Sequence, residues 1–108
     1  MKISQYSAIA AALVICAAPA LAQKGDAAKG KEVFEQCSAC HNSDSTERKM
    51  GPGLKGLFKK AKLESNGKPV SDASVLSKIE NGEGGMPAYK DLLSADDKAN
   101  LLAYLKTL

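Results

Sequence analysis

The chain has 108 residues, 15 Lys+Arg against 12 Asp+Glu for a net charge of +3, three Cys and no Trp. That length suits one small domain, and the absence of a basic run interleaved with aromatics excludes a nucleic-acid binder. With two Phe and few other large apolar residues the core must be thin, so a staple beyond ordinary packing is expected.

Met1-Lys2-Ile3-Ser4 is a short basic opening, followed by the apolar run Ala8 to Ala18 and then Pro19-Ala20-Leu21-Ala22. This pattern predicts a cleavable secretory signal over residues 1–22 that ends in A-x-A, with one domain over residues 23–108. The apolar stretch is short for a membrane span. Cleavage after Ala22 removes Cys16 and Lys2, which leaves a net charge of +2 and two cysteines, Cys37 and Cys40.

The segment from Asp26 to Cys37 reads as a helix, with Asp26 as N-cap and Gly30, Val33, Phe34 and Cys37 on one face. Glycine in a helix interior costs roughly 1 kcal/mol against alanine, so Gly30 implies a neighbour packed close against the backbone. The C-terminal segment is the expected neighbour.

Cys37-Ser38-Ala39-Cys40-His41 follows. C-x-x-C-H is the attachment signature of c-type haem: two thiols become thioethers to the haem vinyl groups, and the histidine supplies an imidazole nitrogen to iron. Positions i, i+3 and i+4 share a helical face, so one turn can present both sulfurs and the ring to one porphyrin. C-x-x-C alone is also half of a zinc site or a redox dithiol. Zinc wants four ligands where residues 23–108 hold one His and two Cys, and no strand pattern precedes Cys37 as a thioredoxin-like site requires. Export agrees with the haem reading, because the attachment chemistry belongs outside the cytoplasm, where exposed thiol pairs otherwise oxidise.

Arg48, Lys49, Lys55, Lys59, Lys60 and Lys62 crowd the middle third. Such a crowd is ordinarily a solvated face, and the alternative is a docking patch for an acidic redox partner. Met50-Gly51-Pro52-Gly53 is a predicted turn, Leu54 to Lys60 a short helix, and Ser65 to Pro69 a loop. A helix is predicted from Ser71 or Asp72, turning Val75, Leu76 and Ile79 inward and stopping at Asn81-Gly82.

Gly84-Gly85-Met86-Pro87 offers a thioether, a ligand that suits a low-spin haem and raises its potential. Met86 is favoured over Met50, which lies too soon after His41 to reach the opposite haem face; a methionine that merely packs is the remaining reading. The glycines are expected to let the backbone approach the porphyrin, and Pro87 to hold Met86 out of the α region. Ser94 with Asp97 resembles a capping box, and Leu101, Tyr104, Leu105 and Leu108 repeat at helical spacing.

Gly30 with Phe34, the C-S-A-C-H pentapeptide, Gly51-Pro52 with Leu54 and Gly56-Leu57, Gly85-Met86-Pro87, and Leu101 with Tyr104 stand in an order that resembles the class I c-type cytochromes of the small bacterial monohaem kind. The resemblance runs from about Asp26 to the C-terminus. It implies an all-α cytochrome c-like fold whose N- and C-terminal helices cross, with short helices and loops around one haem c. That haem is covalently held by Cys37 and Cys40, and its iron is ligated by His41 and Met86. It further implies that the Pro52 carbonyl accepts the other ring N–H of His41, and that Leu54 and Leu57, with Phe58 a further candidate, line the pocket. The chain departs from many relatives in having Lys59-Lys60 where an Arg stands, and no aromatic from Lys59 to Ala88. Lys60, Asn66 and Lys68 are the substitutes on offer for the propionates.

With both axial positions filled, no substrate site remains on iron. The expectation is therefore a non-enzymatic electron carrier: a monomer, exported to the periplasm or a thylakoid lumen, that docks transiently on redox proteins and spans no membrane. A haem enzyme or gas sensor with a displaceable Met86 is the rival, and a haem-free dithiol oxidoreductase the second.

Overall fold

The computed structural model describes residues 25–108; the expected signal at 1–22 lies outside the described residues. Three helices carry the fold: α1 (Ala27–Phe34), α2 (Asp72–Asn81) and α3 (Ala95–Leu105). Among the described residues there are no strands, only isolated bridges at His41 with Arg48, Lys62 with Pro69 and Glu83 with Met86. No helix among these residues is long and apolar enough to cross a membrane.

Each helix starts where a side chain can satisfy its first free amides. The Asp26 carboxylate accepts from the amides of Ala28 and Lys29. Ser71 and Ser94 each accept from the third residue of their helix, and Ser74 and Asp97 reach back to the cap amides, closing two capping boxes. α2 stops at Gly82, whose φ of 72° lies in the region that favours glycine.

α1 and α3 pack backbone to backbone. A Cβ placed on Gly30 would stand 1.9 Å from the Asn100 carbonyl oxygen, and one on Gly25 would stand 1.8 Å from that of Ala99. The amide of Asp26 donates to the Asn100 side chain at 2.8 Å, and the Phe34 and Tyr104 rings meet at 5.3 Å between centroids. The tight crossing implied by Gly30 is thus present. α2 is tied to α3 by ion pairs, Glu80 with Lys98 at 3.2 Å and Asp72 with Lys106 at 2.8 Å.

Two predicted elements are shorter than their sequence suggests. α1 ends at Phe34, not Cys37, and residues 35–40 continue as turns that bond back through Cys37 and Ser38 to the Phe34 carbonyl. The predicted helix over Leu54 to Lys60 contracts to a single 3₁₀ turn, Leu57–Lys59, because Gly56 before it is left-handed at φ 73° and Lys60 after it is extended. Leu76 is half-buried, while Val75 and Ile79 of the same helix are buried.

Candidate haem site

The motif turn is built by the chain's own amides. The Cys40 and His41 N–H groups donate to the Cys37 carbonyl at 3.1 and 3.0 Å, a single helical turn that presents Cys37, Cys40 and His41 together. Residues 42–53 then fold back over it: Gly51 N–H donates to Cys40 O at 2.8 Å and Leu54 N–H to Asn42 O at 2.8 Å. That return carries Pro52 to the histidine, with its carbonyl 2.8 Å from His41 Nδ1. An imidazole whose Nδ1–H is held by a backbone carbonyl is left with a free, basic Nε2, the tautomer a metal requires.

Gly51 lies flat against the same ring. A Cβ there would stand 2.4 Å from His41 Cε1 and 2.9 Å from Nδ1. Gly51→Ala is therefore expected to push the imidazole off the Pro52 carbonyl; the haem-loaded variant should show a mixture of spin states in its ferric spectrum where the wild type shows one low-spin form.

Met86 closes a tight hairpin. The amides of Glu83 and Met86 exchange hydrogen bonds with each other's carbonyls at 3.2 and 3.1 Å, and Gly84 and Gly85 between them have φ of 61° and 92°. No protein atom lies within 4 Å of the Cβ position of either glycine. What demands glycine here within the protein is the positive φ of a two-residue hairpin turn. Gly82 makes a close contact with the hairpin backbone, its Cβ position 2.2 Å from the Met86 carbonyl oxygen. Glu83, with φ 109°, is the non-glycine residue held in the left-handed half of the map among the described residues.

Between the two lies a cleft of about 370 Å³, within the range of small-cofactor sites. Cys37, Cys40, His41, Pro52, Leu54 and Met86 all line it. Phe58 does not: its ring lies instead beneath the Lys106 ammonium, 5.7 Å from the centroid, at the end of α3. Met50 does line the cleft, exposed to 82 %, with its sulfur 3.8 Å from the Cys40 sulfur. Of the three residues weighed for the propionates, Lys60 borders the cleft and Asn66 and Lys68 do not. Lys62 and Arg48 border it too, and sequence reading left both among the general basic crowd.

Sequence reading also missed Tyr89 and Lys78, which both line the cleft. Burial first, then Cys37 and Cys40, pushes the Tyr89 hydroxyl above its ordinary pKa. The available signal was its position three residues after Met86. The Cys37 thiol is likewise pushed up, by burial first and Cys40 second.

Whether these residues suit a haem can be read from the core itself. Every buried apolar side chain among the described residues except Leu93 also lines the cleft, so the hydrophobic core is a shell around an opening. A flat apolar group would complete that core, with Cys37, Cys40, His41 and Met86 all on the cleft lining. The residues fit haem c.

Fold and site are those of a c-type cytochrome. The family described as cytochrome C oxidase, cbb3-type, subunit III, matches residues 25–105. Cytochrome c6 of Rippkaea orientalis is 38% identical over 93 residues, which cover 85% of this chain and 78% of that one. Cytochrome c-550 of Paracoccus denitrificans is 47% identical over 64 residues, 53% of this chain and 40% of that longer one. Among solved structures, cytochrome c6 from the diatom Phaeodactylum tricornutum superposes with a TM-score of 0.60 at 27% identity, covering 77% of this chain and 93% of that one. Cytochrome cH from Methylobacterium extorquens gives 0.51 at 28% identity, covering 78% and 100%. The chain belongs to the class I monohaem c-type cytochromes.

Proposed function

We propose that this chain is an exported carrier of single electrons, made with a signal at residues 1–22 and working as the domain over residues 23–108. It would hold one haem c through Cys37 and Cys40, with His41 and Met86 as the axial ligands. The observation that carries the reading is the convergence of the C-x-x-C-H turn and the Met86 hairpin on one cleft walled by the protein's own core. When bound, haem supplies a one-electron Fe(III)/Fe(II) couple.

The protein's part is to hold that couple still. Pro52 and Gly51 fix the plane and tautomer of His41. The Glu83–Met86 hairpin bonds and the packing of Gly82 under the Met86 carbonyl give the thioether a fixed approach. Met50 is the weaker candidate for that ligand, because its sulfur neighbours Cys40 and so lies on the side of the cleft that His41 occupies. Leu57, Val75, Ile79 and Leu101 keep water from the cleft floor, which limits the reorganisation that each electron transfer requires. Two protein ligands leave no position for a substrate, so no residue here is assigned a catalytic role.

Exposed Arg48, Lys60 and Lys62 at the cleft mouth suit brief docking by a redox protein with an acidic face. The relatives named cytochrome c6 and c-550 support the same class of work. Periplasm and thylakoid lumen both agree with an exported chain.

The test is the visible spectrum of the purified holoprotein, ferric and reduced, with and without CO, in wild type and Met86→Ala. The expected wild type has a c-type reduced spectrum, a weak far-red ferric band and no ready CO shift. Met86→Ala should lose that band and bind CO. Ready CO binding by the wild type would remove Met86 from the iron and bring forward an enzyme or gas sensor.

A further inference from the structure

Of the charged side chains that line the cleft among the described residues, Lys78 alone is half-buried and the others are exposed. Its side chain is 19 % exposed, and it sits on α2 beside Ile79, whose side chain is buried in the same wall. The carboxylate nearest its ammonium is Glu83, at 4.0 Å and itself 70 % exposed. Glu83 is the first residue of the Met86 hairpin, and its φ of 109° is a conformation that side chains rarely adopt. A cation therefore stands against the cleft wall with a single, solvent-facing counter-charge.

Opposite charges in water are largely screened, whereas a charge facing a low-dielectric cavity acts on whatever that cavity holds. Arg48, Lys60 and Lys62 are at the wet rim and count for little in this respect. Lys78 is the charge that the cleft contents would feel.

We infer that Lys78 sets the reduction potential of the cleft: its fixed positive charge favours the state with one more electron, and Glu83 partly offsets it. The inference rests on the haem-binding reading above. No bond is made or broken by Lys78; it biases the equilibrium between Fe(III) plus an electron from any donor and Fe(II). The charge also follows from the fold, since the α2 face that buries Val75 and Ile79 must set position 78 beside the opening.

The decisive measurement is potentiometric titration of the holoproteins. Lys78→Met, which keeps the length of the side chain and removes the charge, is expected to disfavour reduction about tenfold, equivalent to 59 mV for a one-electron couple. Lys78→Arg should stay near the wild type. Glu83→Gln should shift the equilibrium the other way, by about two- to threefold, because its carboxylate is solvent-screened. The far-red ferric band should persist in all three.

The opposite signs separate this role from a structural one. Loosening of the Met86 hairpin would lower the potential in both Lys78→Met and Glu83→Gln and weaken the band, and that result would overturn the inference. So would an unchanged potential in Lys78→Met with a normal c-type spectrum, which would leave Lys78 as an apolar stem covering the wall. A wild type with no covalent haem would overturn both this inference and the proposed function.

Discussion

A Gly30→Leu chain is expected to fail to dock its terminal helices, with a far-UV signal that melts broadly at low temperature in place of a cooperative transition. Even the first added carbon would meet the Asn100 carbonyl oxygen at 1.9 Å, its carbon at 2.6 Å and Tyr104 Cβ at 2.7 Å. Two of those three atoms are backbone, which cannot rotate aside as a side chain can. Relief must come from moving α3 as a body, and that movement takes Leu101 and Leu105 out of the core they share with Phe34. Extra methylenes in a packed core typically cost about 1–3 kcal/mol, and a backbone collision should exceed that range. Domains of this kind have only about 5–15 kcal/mol in total. Calorimetry of the purified holoprotein checks the expectation; a melting point within a few degrees of the wild type would show that the crossing can widen freely.

The second large effect is expected from Cys37→Ala with Cys40→Ala, which removes both points of covalent attachment. The chain should be recovered colourless, negative to haem staining after denaturing electrophoresis, and with most of its helical signal lost. The reason is the shape of the core. Phe34, Leu57, Val75, Ile79 and Leu101 are buried in one cluster, yet all line the same opening of about 370 Å³. A shell of that kind lacks contacts on its inner side, and each missing contact forfeits dispersion energy. Anything bound there stabilises the folded form by mass action, and a covalent link makes that binding permanent. A cooperative transition in the double variant, close to that of the holoprotein, would show that the polypeptide needs no such filling.

Legibility in the sequence followed the range of the physics involved. The C-x-x-C-H turn, the Asp26, Ser71 and Ser94 caps and the stop at Gly82 were readable because each is settled within about five residues. Gly30 was readable as a close approach because a helical glycine has no local purpose. The length of the Leu57–Lys59 turn was not, since it depends on Gly56 adopting a left-handed conformation, and glycine permits that conformation without requiring it. The family resemblance offered Phe58 as a further pocket candidate, but a 3₁₀ turn sends adjacent side chains in different directions and Phe58 meets Lys106 instead. Lys78 was invisible for a related reason. A lysine on an amphipathic helix is read as solvent-facing, and only the packing of α2 beside the Met86 hairpin turns its stem toward the cleft.

The Glu83–Met86 hairpin belongs with the unreadable part, though Gly84, Gly85 and Met86 stand out in the sequence. Gly-Gly before Met-Pro is compatible with an open loop, and only the paired Glu83 and Met86 amides make it a closed turn. Four consecutive positive φ angles from Gly82 to Gly85 hold it there, one of them imposed on a glutamate. The strain at Glu83 is the kind that persists where the surroundings over-determine a backbone.

The close seating of α1 on α3 bears on how the molecule is made. The stretch of chain between them, positions 35 to 94, holds Cys37, Cys40, His41 and Met86, so the clasp closes only after the residues proposed to hold the cofactor have been passed. Bringing such distant segments together costs chain entropy that is repaid only when both are present. Until then Cys37 and Cys40 lie on an open thread, where the proposed haem attachment would meet no packed wall. The order of the helices alone thus holds the two thiols open until α3 has docked, and a permuted chain with α3 ahead of α1 would close that interval early.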